Sequence, residues 1–310
     1  MYTYPPAAPR LNEDLTAVEV HRFLQTPELV ARRAQELALH RFIADFLLTG
    51  RLRALGGVVL YEDGTEPLFA NDRSEAIPAG GEYPLTSFES NQMAAAQTVK
   101  WGLDHEITDE SITRRIDEPV TKAFRGLTNT LVRDIDSIAL AVIAARVQAT
   151  EAATAPWEDD GKAIIKSVLR AKARREAALV GEAYDFNTIV LQPEAHALVS
   201  AELINSGQLR DRGSDAIATG VIPNVLGLNW VTSTHVPFSD PFFVDRDQLG
   251  AMADEKIESP GYVAADNGVG IETKAIRNDD NDKWKVRARR VCVPVVTNPN
   301  AGFRLTGTGL

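Results

Sequence analysis

The sequence contains a single cysteine, Cys292, among its 310 residues. One cysteine excludes an internal disulfide, a paired-cysteine redox motif and a zinc site built from several thiolates. Long apolar runs are also missing, because the longest one, residues 138–145, is far shorter than the roughly 18 residues that indicate a membrane span. The start of the chain has no basic segment followed by an apolar one, so no secretory peptide is predicted. These absences predict a protein made in the cytoplasm, with no membrane partner.

Motifs of common catalytic sites are missing as well. The five histidines show no HExxH or HxH spacing, and neither a Gly-x-Ser-x-Gly nor a Walker sequence occurs. Gly268 and Gly270 lack the third glycine and the following helix of a dinucleotide-binding turn. We therefore expect no catalytic residue, no cofactor and no bound metal. The acidic stretch at 278–282 is interpreted as a solvated hairpin turn rather than a cation site.

The composition is that of an ordinary folded protein, with 44% hydrophobic and 25% charged residues. A net charge of −10 disfavours a protein that holds nucleic acid mainly through a strongly basic surface, although it leaves room for a local basic face. One candidate face is a stripe with four-residue spacing, formed by Lys162, Lys166, Arg170 and Arg174. We interpret this stripe as a solvated face or a partner for a neighbour's acidic groups, with contact to phosphates as the alternative.

The distribution of apolar residues predicts an α+β fold with extended excursions. Prolines at positions 5, 6 and 9 predict an extended N-terminal arm, and a helical pattern follows it up to Gly50. Residues 52–103 are rich in glycine and proline turns and contain two strand patterns, which begin near Val58 and Met93. A segment of this kind has little core of its own, so we expect a long projecting hairpin.

The strongest helical pattern follows this hairpin. Apolar residues recur at three- and four-residue steps from Ile112 to Val142, after a candidate cap at Thr108, and Pro119 is predicted to kink or restart the helix. The patterns beyond it first predict an acidic linker at 151–160, a helix at 162–180, a buried strand at 186–192 and a helix at 193–205. A polar loop is predicted at 207–220, followed by short strands at 228–233, 242–244 and 248–253. The last predicted element is a hairpin, in which 263–276 pairs with 284–294 across a turn at 277–283.

Four segments, taken in this order of parts, carry a resemblance to a known family. The sequence AGGEYP at 79–84 resembles the stretch near the tip of that family's extended loop, and KWG at 100–102 followed by ITDE at 107–110 resembles the strand that returns into its spine helix. Residues 186–193 resemble a buried strand of its axial domain, and residues 295–307 are similar to its closing segment. The family is that of the major capsid proteins of tailed bacteriophages, with the Hong Kong 97-type fold.

The resemblance implies an α+β, Hong Kong 97-like capsid fold with four parts. These are an N-terminal arm at 1–52, an extended β-hairpin loop at 53–103, a peripheral domain with the spine helix at 104–155 and 263–294, and an axial domain at 156–262 and 295–310. The resemblance also implies that the loop laps over a neighbouring subunit and that the basic stripe lies on the inner face or between subunits. The loop residues expected to serve assembly are Val58, Leu60, Tyr61, Leu68, Phe69, Gly80, Gly81, Tyr83, Pro84 and Phe88.

By the same resemblance, the protein is expected to be a structural, non-enzymatic component of the virion. It would form pentamers and hexamers of an icosahedral shell around double-stranded DNA, which the wall contacts non-specifically. A portal and a decoration protein are further expected partners. Because the arm begins almost at the first residue, we expect either a separate scaffolding protein or none. Residues 51–99 contain no lysine, so we expect a shell without lysine–asparagine crosslinks. The alternatives are an encapsulin-type nanocompartment shell protein and, more distantly, a soluble cytoplasmic enzyme.

Overall fold

The computed structural model describes residues 16–37, 43–64, 70, 72–87, 92–115, 118–157, 161–179, 184–205, 226–264 and 270–310. Three features predicted from the sequence lie outside these residues: the proline-rich start of the arm, the acidic cluster at 158–160 and the polar loop at 207–220. In the part of the chain that is described, no helix combines the length and the apolar character needed to cross a membrane.

The described helices and strands alternate along the chain. The helices are α1 (Ala17–Leu24), α2 (Pro27–Leu37), α3 (Ile43–Leu47), α4 (Asp109–Arg115), α5 (Glu118–Arg146), α6 (Gly161–Ala178), α7 (Pro193–Asn205) and α8 (Arg246–Leu249). The strands are β1 (Gly50–Arg53), β2 (Val58–Asp63), β3 (Gln92–Gln97), β4 (Val99–Thr108), β5 (Thr150–Ala152), β6 (Thr188–Leu191), β7 (Asn229–Thr232), β8 (Phe242–Val244), β9 (Gly250–Asp254), β10 (Val263–Ala264), β11 (Glu272–Asn278), β12 (Lys283–Val296) and β13 (Gly302–Thr306).

The longest strand, β12, organises one sheet. Among the described residues this sheet has six strands in the order β1-β9-β12-β11-β10, with β4 also paired to β12. β12 runs antiparallel to β11 and to β4, and its last residues, from Cys292 on, pair with β9. The apolar stripe of α5 is buried, and it comprises Val120, Phe124, Leu127, Leu131, Ile135, Ala139 and Ile143.

Ion pairs with β12 and β11 hold β4, the strand that leads out of the extended loop, and the start of α4. Arg287 on β12 lies opposite Asp104 on β4 and donates hydrogen bonds of 2.6 and 2.7 Å to its carboxylate. Arg277 on β11 binds both oxygens of Asp109, at 2.6 and 2.8 Å. These hydrogen bonds hold the pKa of both carboxyl groups below the ordinary value of 3.8. The strand β4 and the start of α4 are therefore fixed to the sheet by ion pairs as well as by backbone pairing.

Two described helices, α4 and α5, cover the long helical pattern predicted after the hairpin. α4 is described up to Arg115 and α5 from Glu118, with Pro119 as its second described residue. Residues 116 and 117 lie outside the described residues, so the kink or restart at Pro119 stays a prediction. Proline fits the first turn of a helix because that turn needs no backbone donor at this position. α5 has 29 residues, which corresponds to a length of about 43 Å.

The predicted arm is folded onto the body wherever it is described. Buried Asp136 of α5 accepts hydrogen bonds from the backbone N–H groups of Ile43 (3.2 Å) and Ala44 (2.9 Å) at the start of α3, and its burial raises the pKa of its carboxyl group. The buried guanidinium of Arg290 binds Asp45 of α3 at 2.8 and 2.9 Å and Asp254 of β9 at 2.9 and 3.1 Å. These contacts join the N-terminal helices, the long helix and the sheet.

A second sheet has, within the described ranges, five strands in the order β5-β13-β8-β6-β7. Its core is aromatic: the rings of Phe243 and Phe303 stack with centroids 4.7 Å apart, and Phe186 meets Phe303 edge-on at 4.9 Å. All four residues of β6 are buried, as the apolar run at 186–192 predicted. Helices α6 and α7 cover this sheet, and their buried residues belong to the same core as those of α5.

Three sequence predictions differ from the structure. The linker predicted at 151–160 includes part of β5, which pairs in parallel with β13. Gln248 and Leu249 belong to α8 rather than to a strand, and β9 follows them in the six-stranded sheet. The closing turn is short, because pairing of β11 with β12 continues to Asn278 and Lys283. Only the first of these differences comes from pairing between segments that are distant in the chain.

Candidate assembly surface

The extended loop begins in a tight turn. Gly56 and Gly57 have φ values of +63° and +83°, the conformation of a type I′ turn, which glycine adopts without strain. Leu55 and Val58 flank the turn and exchange backbone hydrogen bonds of 3.1 and 3.4 Å. The chain therefore reverses direction at once, and β2 pairs with β3 in a separate two-stranded sheet.

One carboxylate holds the two strands at the base of this hairpin. Glu255 accepts hydrogen bonds from the backbone N–H of Gly57 (3.0 Å) and from the hydroxyl of Thr98 (2.6 Å). The N–H of Thr98 donates in turn to the carbonyl of Gly57 at 3.0 Å. The beginning of β2 and the end of β3 are thus attached to the segment that follows β9.

The far end of β2 is also attached to its own subunit. The backbone N–H of Gly64 donates to the carbonyl of Thr297 at 2.9 Å. Asp63 forms an ion pair with Arg146, the last residue of α5, and the hydrogen bond of this pair raises the pKa of the arginine. The direction in which the loop leaves the body is therefore set by contacts at both ends of one strand.

The two faces of the hairpin differ in chemistry and burial. On the inner face, buried Val59 packs with Ala54, Ala253 and Val295, and half-buried Tyr61 packs against the same small cluster. On the outer face, large apolar side chains are exposed. They are Leu55, Val58, Leu60 and Met93, and Leu60 keeps 65% of its surface accessible. An apolar strip of this kind, on a strand whose other face is already packed, is typical of an interaction site.

The loop tip is more exposed still. Gly80 has a φ of +84°, and the N–H of Gly81 donates to the carbonyl of Pro78 at 2.9 Å, so residues 78–81 form a turn that requires positive φ at its third position. Just beyond it, Tyr83 is 83% exposed and Leu85 is 98% exposed.

The structure places the predicted loop residues unevenly. Of the ten residues predicted to serve assembly, the exposed ones are Val58, Leu60, Gly80, Gly81, Tyr83 and Pro84. Tyr61 faces its own subunit, and Leu68, Phe69 and Phe88 lie outside the described residues. Sequence analysis missed Leu55, Leu85 and Met93. Met93 lies opposite Glu62 on the outer face, so the two-residue alternation of β3 could have identified it.

The predicted basic stripe forms one side of α6. Lys162, Lys166, Arg170 and Arg174 are all exposed, while the opposite side of the helix is buried through Ile164, Ser167, Val168 and Ala171. Lys172 lies off the stripe and binds the carboxylate of Asp185 at 2.8 Å.

Groups suited to catalysis do not converge in the described structure. No cluster of three or more His, Cys, Asp or Glu residues there could hold a metal ion. Burial raises the pKa of the Cys292 thiol to about 12, so this cysteine is not a thiolate near neutral pH. In the open groove between β4 and α5, Glu106 binds Lys283 at 2.6 Å, which lowers the pKa of its carboxyl group.

Solved structures are similar to this fold over most of the chain. The capsid of cyanophage P-SCSP1u has a TM-score of 0.56 at 13% identity, over 86% of this chain and 88% of that one. The mature capsid of bacteriophage PhiM1 has a TM-score of 0.55 at 12% identity, over 82% and 83%. A virus-like particle from Pyrococcus furiosus has a TM-score of 0.54 at 10% identity, over 90% and 98%. At these identities the matches show the fold alone.

The family follows from the sequence match. The model of the phage capsid protein family matches residues 92–305, and the chain belongs to this family. The predicted Hong Kong 97-like fold and the predicted function, that of a major capsid protein of a tailed bacteriophage, are confirmed. The protein is a structural component of the virion. The encapsulin alternative is less well supported, and a comparison with curated proteins found no match.

Proposed function

We propose that this capsid protein assembles into pentamers and hexamers that close as an icosahedral shell around packaged double-stranded DNA. Its synthesis takes place in the cytoplasm of the host cell. A portal, a separate scaffolding protein and a decoration protein are its further partners. The parts of the subunit are those proposed from the sequence, with an arm at 1–52, a loop at 53–103, and peripheral and axial domains beyond them.

The observation that carries this proposal is the apolar outer face of the β2–β3 hairpin. Its inner face already packs on the subunit's own sheet, so Val58, Leu60 and Met93 have no partner surface among the described residues. Burying a large apolar side chain completely stabilises a complex by about 1.5–3 kcal/mol. A second copy of the chain that covers this face would therefore gain several kcal/mol from a few residues.

The attachment of the hairpin supports the same conclusion. Glu255 and the Asp63–Arg146 pair hold β2 in one direction, while the tip at 78–85 is exposed. A fixed base reduces the conformational entropy that is lost when the loop binds a neighbour. The β2–β3 hairpin is thus held in advance in the orientation in which it reaches another subunit.

The test is assembly of the purified protein, followed by negative-stain electron microscopy and size-exclusion chromatography. The wild type is expected to form closed shells or rings of capsomers, and Leu60→Glu is expected to remain a folded, unassembled subunit. Leu198→Glu on α7, which changes an exposed leucine elsewhere, is the matched control and should still assemble. Normal shells from Leu60→Glu would contradict the role of the hairpin.

Two further measurements refine the proposal. Nucleic acid inside purified particles supports a phage capsid, whereas a packed enzyme would indicate an encapsulin-type compartment. Boiling in denaturant should release single chains, because residues 51–99 contain no lysine for a crosslink. Covalent multimers on the gel would contradict a non-covalent shell.

A further inference from the structure

Helix α6 concentrates positive charge in an acidic protein. The helix carries six basic residues and one acidic residue, whereas the whole chain has a net charge of −10. Its one acidic residue, Glu176, lies 3.8 Å from Lys172, away from the stripe. Four of the six basic residues therefore lie on one face of this helix.

The geometry of this face is regular and rigid. Lys162, Lys166, Arg170 and Arg174 follow one another at four-residue spacing, so their positions are about 6 Å apart along the helix axis and span about 18 Å. Ile164 and Val168 are fully buried behind them. The helix thus holds the four charged groups in a row that does not depend on a loop conformation.

The chemistry of the face does not fit a stable contact between subunits. Leu169, which is 49% exposed, is its one large exposed apolar residue, and the face carries no aromatic side chain. Cores of protein interfaces are enriched in aromatic residues, methionine and arginine and depleted in lysine, glutamate and aspartate. The outer face of the β2–β3 hairpin has the opposite character, with exposed apolar side chains. A row of flexible cations instead suits a polyanion with evenly spaced charges.

We propose that the basic face of α6 binds the sugar–phosphate backbone of nucleic acid and therefore lines the interior of the shell. This inference rests on the proposed function, and it adds which surface meets the DNA. Lysine and arginine on an exposed helix neutralise phosphates without reading bases, so the contact is independent of sequence and weakens with salt. Because the rest of the chain is acidic, the inner surface of the shell binds DNA only at these basic faces and repels it elsewhere.

The test measures DNA binding by the full chain with a fluorescent mixed-sequence duplex, by anisotropy, between about 50 and about 200 mM salt. The variant replaces Lys162, Lys166, Arg170 and Arg174 by Gln. Each phosphate contact contributes about −0.9 to the slope of log affinity against log salt, so the slope should become shallower by up to about 3.6. Four contacts correspond to about a 100-fold loss of wild-type affinity over that salt range. A duplex of different sequence should bind equally well.

The matched control replaces three other exposed basic residues by Gln, namely Lys122, Arg125 and Arg133 on α5. This control should keep the wild-type slope, and the α6 variant should still form shells in the electron microscope. Equal slopes for the wild type and the α6 variant, or an equal loss in the α5 control, would overturn the inference. Loss of shells with unchanged DNA binding would overturn it too, and would make the face a contact between subunits.

These readouts separate this inference from the proposed function. If wild-type shells form but DNA binding does not depend on α6, the inference alone fails. If the wild type forms no shells under any assembly condition, the proposed function fails first.

Discussion

The β2–β3 hairpin and helix α6 both expose one face, but they differ in what that face carries and in what lies behind it. The outer face of the hairpin is apolar, and only a small cluster around Val59 packs behind it. The exposed face of α6 is basic, and the main core packs behind it. Charge differs as well, since residues 58–97 contain seven acidic residues and one basic residue. An apolar face with little core requires a second chain, whereas a charged face on a core helix is stable in water.

The largest expected effect concerns the tip of the hairpin. Replacing Gly80 and Gly81 by Val should abolish shell formation, because Gly80 has positive φ and a Cβ on Gly81 would lie 2.9 Å from the side chain of Ile77. Electron microscopy measures the loss, and circular dichroism should show a folded subunit. The control Ala79→Val changes an exposed neighbour that has no positive φ, and it should assemble. Shells from the glycine variant would mean that the tip does not need this turn.

The same truncation should have different effects behind the two faces. Val168→Ala, behind the basic face, should lower the free energy of unfolding by about 2–3 kcal/mol, because it opens a cavity in the main core. Val59→Ala, behind the apolar face, should cost less than about 1 kcal/mol, since its small cluster can collapse. Urea denaturation of the unassembled subunit measures both. Equal losses would show that the hairpin unfolds together with the body.

Removing one attachment at the base of the β2–β3 hairpin should have a smaller, local effect on stability. Glu255→Ala leaves the N–H of Gly57 and the hydroxyl of Thr98 without their acceptor, a loss of about 1–3 kcal/mol. Hydrogen exchange at Gly57 should become faster, and shell assembly should become less efficient, while exchange in α6 stays unchanged. Glu258→Ala, an exposed carboxylate three residues away, is the control. Unchanged exchange at Gly57 would mean that the backbone turn alone holds the hairpin.

The smallest expected effect is a loss of folding stability at low pH. The carboxyl groups of Asp104 and Asp109 have lowered pKa values in the folded state, so their contribution to stability is complete above the ordinary value of 3.8 and is lost as the pH falls through the lowered values. Unfolding at a series of pH values below about 4 should show this loss. Asp104→Asn should make the dependence on pH shallower. An unchanged profile in that variant would show that its pair with Arg287 does not stabilise β4.

Local features of the fold could be predicted from the sequence. The four-residue spacing on α6, the alternation of β2 and β3 and the glycine turn at the tip depend on neighbours within a few residues. The four basic residues lie on one exposed side of α6, because helical geometry alone determines which residues share a face, and their role stays a prediction. The assembly role of the loop residues stays a prediction, because a single chain does not show what covers them.

Other features depended on partners far along the chain. Leu60 and Tyr61 are neighbours on β2 and therefore lie on opposite faces, but only packing against Ala253 and Val295 determined that the tyrosine faces inward. The same holds for the ion pairs of Arg290 with Asp45 and Asp254, and for the place of β9 beside β12. The sequence by itself determined the turns, the helical stripes and the family resemblance, because these depend on local spacing. The tertiary structure decided which faces meet, because that depends on contacts between residues tens to hundreds of positions apart, which no local pattern contains.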